Sequence, residues 1–178
     1  MRKACLTQVL VLVFALTALF SNAVSADANR EYQLKAAYLL NFARFIYWPK
    51  ALFSSEIDVF RICVYGESPF GENLNYLLSK KVQGRSIKIN QIENLNNVAA
   101  CHILFVCESN KDDFYKISSY FPQHVLTVSD VKGFSSQGGM IEFIRFDNKI
   151  KFEINVAQST KFGIKYRSQL LEVAEQLR

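Results

Sequence analysis

Two histidines, one tryptophan, three prolines and seven glycines are all that this chain holds of those residues. So few histidines leave two candidates for general-base work, His102 and His124. His102 opens an apolar run and reads as a hydrogen-bonded core residue. His124 precedes a second run, with Ser129 and Asp130 beyond its far end. Roughly 16 Å of extended chain separates His124 from Ser129, too far for a nucleophile–base hydrogen bond. No GxSxG elbow, HExxH helix or pair of carboxylates at acid–base spacing occurs. CxxC is also missing. Cys101, His102 and Cys107 make a poor metal set, because alternation along a strand sends His102 to the face opposite both cysteines. With no repeat, low-complexity run or Pro/Gly-rich linker, nothing marks a second domain. These absences speak against catalysis and leave recognition.

One long apolar run is present, and it is too short to span a bilayer. Val9 to Phe20, broken by Thr17, follows Arg2 and Lys3 and precedes small residues, with Val24 and Ala26 at the −3 and −1 positions of a signal-peptidase site. A membrane span needs about 20 apolar residues. Residues 1–26 therefore read as a cleaved secretory signal peptide and 27–178 as one exported domain. That compartment argues against reactions drawing on ATP, NAD or reduced thiols. Residues 27–178 carry 19 Lys and Arg against 16 Asp and Glu, a net +3. The cations are scattered along the sequence, which predicts an ordinary solvated surface, not a nucleic-acid or membrane stripe.

Three cysteines, Cys63, Cys101 and Cys107, follow the leader. In an oxidising space two should pair. Cys101 and Cys107 flank the run His102–Val106, which as a strand holds them roughly 20 Å apart, against a limit of about 7 Å for a disulfide. Cys63 is thus one partner, and Cys101 and Cys107 both remain open as the other. Parallel register slightly favours Cys107.

Apolar residues at steps of three and four predict a helix from Glu31 to Ile46, ending before Pro49. Ile57–Tyr65 predicts a strand, Pro69 the start of a second helix carrying Phe70, Leu74, Leu77 and Leu78, and Ser86–Ile92 an alternating strand. His102–Val106 reads as a strand buried on both faces. Asp112–Tyr120 reads as a short helix with Phe114, Ile117 and Tyr120 inward, and Val125–Val128 as another strand. Met140–Phe146 and Ile150–Asn155 form a hairpin around Asp147–Asn148–Lys149, with Lys151, Glu153 and Asn155 on a polar face. Val156–Phe162 reads as a helix. Ser168 is expected to cap a terminal helix burying Leu170, Leu171, Ala174 and Leu177. The order predicts an α/β fold: a single domain whose mixed sheet is flanked by helices on both faces, with a C-terminal antiparallel hairpin followed by helices.

Two features stand apart. The loop GFSSQGG at Gly133–Gly139 has the look of an anion cradle, but it feeds a strand and so reads as a wide turn with positive φ at Gly138 or Gly139. Phe42, Phe45, Tyr47 and Trp48 cluster at a helix end. Most such aromatics are core residues; Tyr47 and Trp48, beside Pro49, read either so or as half-exposed contacts for a partner or flat ligand.

The segments EYQLKAAYLLNFARFIYWP (Glu31–Pro49), FRICVYGESPFG (Phe60–Gly71), CHILF (Cys101–Phe105), LTVSD (Leu126–Asp130), GFSSQGGMIEF (Gly133–Phe143), KFEIN (Lys151–Asn155) and SQLLEVA (Ser168–Ala174) occur in this order. Together they resemble the YfiR family of periplasmic regulators over nearly the whole exported chain. The resemblance implies a periplasmic, non-enzymatic protein without cofactor or metal. It further implies binding to the periplasmic sensor region of an inner-membrane diguanylate cyclase and repression of it, lowering cyclic-di-GMP and biofilm formation. Sequestration by an outer-membrane lipoprotein, homodimerisation and a structural Cys63–Cys101 disulfide come with it, leaving Cys107 a lone thiol. A periplasmic small-ligand-binding module serving a sensor kinase or other membrane receptor is the alternative reading.

Overall fold

The computed structural model describes residues 27–53 and 58–178. The signal-peptide expectation, and the start of the first strand at Ile57, lie outside the described residues. Helix α1 runs through residues 27–45. Eight strands follow: β1 (Phe60–Tyr65), β2 (Lys81–Val82), β3 (Arg85–Ile92), β4 (Ile103–Val106), β5 (Leu126–Ser129), β6 (Ile141–Phe146), β7 (Lys149–Ile154) and β8 (Gln176–Leu177). Helices α2 (Lys111–Ile117), α3 (Val156–Lys161) and α4 (Ser168–Glu172), with several 3-10 turns, complete the chain.

All eight strands join one sheet in the order β2-β3-β1-β4-β5-β6-β7-β8. Its centre, β3-β1-β4-β5-β6, is parallel. Such strands are covered on both sides, so β4 is wholly buried and lacks polar alternation. The hairpin β6–β7 is antiparallel. Its turn puts Asp147 at φ 48° and Asn148 at φ 56°, the left-handed pair that a two-residue turn needs.

Register assigns the faces. Ile62, Ile103 and Leu126 stand abreast, as do Val64, Phe105 and Val128, with Ile141 beside Val128. This face meets α1: Phe42 stacks on Phe143 at 5.7 Å and meets Phe152 edge-on at 5.0 Å. The opposite face carries Cys63, Leu104 and Thr127, then Tyr65, Val106, Ser129 and Glu142. There the loop around Phe134 packs on Phe114 of α2 at 4.9 Å. Phe42, Phe60, Phe70, Phe105, Phe114, Phe134 and Phe152 are fully buried. Each contributes on the order of 2 kcal/mol by area.

Several expectations are corrected. The segment after Pro69 is a 3-10 helix, Gly71–Ser79. Asn side chains compete locally for its backbone, as where Asn73 Nδ2 donates to the Phe70 carbonyl. Tyr120 points outward, 87% exposed, because α2 stops at Ile117 and tightens into a 3-10 turn. Ser168 does not cap α4; Arg167 holds that position without a side-chain bond. Leu177 is exposed on β8, because α4 ends at Glu172 and the chain returns to pair Gln176 with Glu153 and Leu177 with Ile154. Glu153, expected on a polar face, is buried beneath that return.

Candidate functional site

Cys63 is bonded to Cys101, with Cα atoms 5.8 Å apart across 38 residues of sequence. Register explains the choice. Cys63 stands opposite Leu104, so Cys107 shares the parity of Phe105 and projects to the other face. Cys107 also prolongs the ladder by donating its N–H to the Tyr65 carbonyl. Cys101 has left the strand: it terminates the 3-10 helix Leu95–Ala100 and crosses the face where Cys63 projects. The slight register preference for Cys107 is thereby overturned. Polar residues including Arg61, Asn90, Asn94 and Asn97 border a cavity of about 600 Å³ over the bridge. Cys107 is a buried free thiol. Burial, then the charges of Asp130 and Glu67, push its pKa up to about 12, so it is a poor nucleophile at neutral pH.

His102 is buried between the rings of Phe53 and Phe60, each 4.7 Å away. Its Nδ1 accepts from the Arg61 N–H at 3.0 Å. Burial, then the Arg61 charge, lowers its pKa to about 4, so it is neutral near pH 7. Ser129 Oγ donates to the Val106 carbonyl at 2.7 Å and accepts from the Val131 N–H. Asp130 turns instead toward α1, and His124 sits before the opposite end of β5 at φ 66°. The fold does not bring His124, Ser129 and Asp130 together.

The expected aromatic pair divides. Trp48 is only 5% exposed; its Nε1–H donates to the Ala43 carbonyl at 2.7 Å and its ring meets Phe60. Of its two readings the core one holds, against half-exposure: it is a core residue fastening the end of α1. Tyr47 is 52% exposed, with the Arg167 guanidinium 4.6 Å from its ring centre.

Sequence reasoning missed a polar cluster at the carboxyl ends of the parallel strands. Lys35, on the buried stripe of α1 and 3% exposed, places Nζ 2.6 Å from both Glu31 and Asp130. Tyr32 donates its hydroxyl to the same Asp130 oxygen at 2.9 Å. Burial, then the Asp130 charge, raises the Tyr32 pKa and keeps the phenol protonated. Arg145 of β6 pairs with Glu31. These side chains, with Glu108 and Phe143, border a cavity of about 340 Å³.

The Gly133–Gly139 loop does cradle an anion, and the anion is internal. The Glu142 carboxylate accepts from the Gly133 N–H, the Ser135 N–H and the Ser135 hydroxyl at 2.8–2.9 Å. Glu153 lies directly across from Glu142 on β7 and pairs with Arg178 at 3.0 Å. Gly138 holds φ 100°, while at Gly139 the Phe134 ring occupies the space of a Cβ.

Among the described residues no group of His, Cys, Asp and Glu could hold a metal ion, and no helix is long and apolar enough to cross a membrane.

No curated protein matches the chain. A solved crystal structure from Streptococcus pneumonia, an ABC domain in complex with L-Trp, is similar at 12% identity and TM-score 0.45. The similarity covers 67% of this chain and 55% of that one, so this chain spans about half of that protein's length. Its ligand is a property of that protein. The family model described as YfiR/HmsC-like matches residues 32–175. That span runs from Tyr32 of the polar cluster to Glu175 before β8, and the chain belongs to the YfiR/HmsC-like family, whose members are regulators rather than enzymes.

Proposed function

We propose that the chain is an exported, non-enzymatic regulator: residues 1–26 are a cleaved leader and 27–178 the working domain. It binds the periplasmic sensor region of an inner-membrane diguanylate cyclase and holds that enzyme inactive, lowering cyclic-di-GMP and restraining biofilm formation. The family match across residues 32–175 is the observation that carries this reading. It is supported by side chains of catalytic type that are engaged elsewhere: Ser129 on the backbone, Asp130 on Lys35, and His102 neutral in the core.

The mechanism is linkage. A domain that binds only the inactive arrangement of its receptor shifts the equilibrium by its differential affinity. Moving a population from about 1:99 to 99:1 takes roughly 5.5 kcal/mol of preference. Tyr47 is the proposed contact, with Trp48 as the buried support behind it. The Cys63–Cys101 bridge maintains the repressing shape, so oxidation favours repression. The domain works as a homodimer and is released by an outer-membrane lipoprotein that competes for it.

Deleting the gene and measuring cellular cyclic-di-GMP tests the core of this reading; a rise is expected, and an unchanged level refutes it. Equal affinity of wild type and Cys63→Ser for the cyclase's sensor region would remove the redox element alone. The cavity beside Lys35 favours a second reading, a small-ligand-binding module for a sensor kinase or other receptor. That reading predicts a ligand-dependent rise in melting temperature with no membrane partner present.

A further inference from the structure

Lys50, Lys161, Lys165 and Arg167 lie on two segments far apart in sequence, which the fold pairs beside Tyr47. Residues 45–47 and 165–167 run antiparallel: the Tyr47 N–H donates to the Lys165 carbonyl at 2.9 Å, the Arg167 N–H donates to the Phe45 carbonyl at 2.8 Å, and Ile46 faces Tyr166. Alternation sorts the side chains of this short ribbon. Ile46, Trp48 and Ile164 are buried, and Tyr166 is half-buried beneath its bond to Ser159. Tyr47, Lys165 and Arg167 are exposed on the other side. Lys50 follows three residues after Tyr47, and Lys161 lies one short turn before Lys165, both exposed. Among the described residues none of the four cations forms a salt bridge. Residues 44–53 and 156–171 contain no Asp or Glu. Residues 27–178 carry a net +3, so without these four the remainder is −1.

We propose that the exposed side of this pairing is a docking face for an anionic phospholipid surface. The proposal rests on the regulatory reading above, in which the partner is embedded in the inner membrane. Its physical basis is charge complementarity. Unpaired lysines recognise a diffuse sheet of negative headgroups without fixed partners, and their attraction acts within about a Debye length. Tyr47 supplies an amphipathic ring of the kind that settles at the headgroup boundary. Arg167, stacked on that ring, keeps a charge at the same level. The face would hold the domain in the plane where its partner's sensor region emerges, raising the local concentration for a protein that must find a membrane receptor.

Vesicle co-sedimentation of the chain as the cell exports it tests this. Phosphatidylcholine vesicles containing phosphatidylglycerol should sediment the protein, phosphatidylcholine alone should not, and added salt should release it. Each cation removed in Lys165→Gln and Arg167→Gln should weaken partition about fivefold. The pair Lys111→Gln and Lys116→Gln on α2, whose cations are already matched by Glu108 and Asp113, should leave it nearly unchanged. No preference for phosphatidylglycerol, or an equal loss from the α2 pair, overturns the proposal. So does a face that binds the cyclase sensor region but no vesicle, since it then belongs to an acidic protein segment. Cellular cyclic-di-GMP separates the two claims: vesicle partition can fail while deletion still raises the messenger, and the regulatory reading falls only when deletion leaves it unchanged.

Discussion

The Lys35 ammonium lies 2.6 Å from Asp130 Oδ2, joining the middle of α1 to the turn after β5 across 95 residues of sequence. Glu31, one helical turn earlier, sits equally close and also holds Arg145. Through Asp130 after β5 and, by way of Glu31, Arg145 on β6, this cluster fixes the first half of α1, where the second half relies on Leu39 and Phe42. Breaking a buried pair leaves its partner uncompensated, which typically costs 3–5 kcal/mol. Asp130 retains some solvent access, so Lys35→Ala should cost about 2–3 kcal/mol. Urea unfolding measures it; a loss below about 1 kcal/mol would mean the cluster is solvated in solution.

His102 sets an acid limit. Its folded pKa, about 4, lies below the ordinary histidine value, so folding favours the neutral ring. That stability is complete above about pH 6.5 and is lost as pH falls toward 4, on the order of 2–3 kcal/mol. Melting temperature against pH should decline over this window in wild type and flatten in His102→Phe.

Cys107 should be silent in the native protein. With its pKa at about 12, the thiolate fraction at pH 8 is on the order of one in ten thousand. In protein comprising residues 27–178, an aromatic disulfide reagent should register no thiol before unfolding and one afterwards. A fast native reaction would show the site opening on its own.

Reducing the Cys63–Cys101 bridge reopens a loop of 38 residues. The chain-entropy account gives a loss of about 4 kcal/mol. Unfolding with and without reductant measures it, and Cys63→Ser should reproduce the reduced curve.

Glu142→Ala removes the acceptor for three donors in the loop after Gly133. Leaving buried donors unpaired costs about 1–3 kcal/mol each at most, so a loss near 3 kcal/mol is expected. Amide exchange should accelerate at Gly133 and Ser135 specifically. Uniform acceleration across the sheet would contradict a local role.

The central sheet is legible in the sequence because a strand covered on both sides admits no polar alternation, and Ile103–Val106 has none. The hairpin is legible because Asp147 and Asn148 are residues that accept positive φ. What stays hidden is non-local. Lys35 looks like any helix lysine until Asp130 arrives from the far side of the sheet. Glu142 and Glu153 follow the alternation of an exposed face and are buried only because the Gly133 loop and Arg178 cover them. The strand β8 has two residues and no pattern of its own; β7 supplies its ladder. Trp48 and Tyr47 are neighbours with opposite fates, decided by the pairing of residue 46 with Tyr166.

The bridge from Cys63 to Cys101 also divides the molecule mechanically. Strands β2 and β3 lie entirely inside the covalent ring, β1 enters it at Cys63, and the five strands β4 to β8 lie beyond it. A pull applied between the two ends would travel across the sulfurs and leave that edge of the sheet unloaded. Cutting the bond would lengthen the stretched polymer by roughly 130 Å, a step that single-molecule traces with and without reductant would resolve.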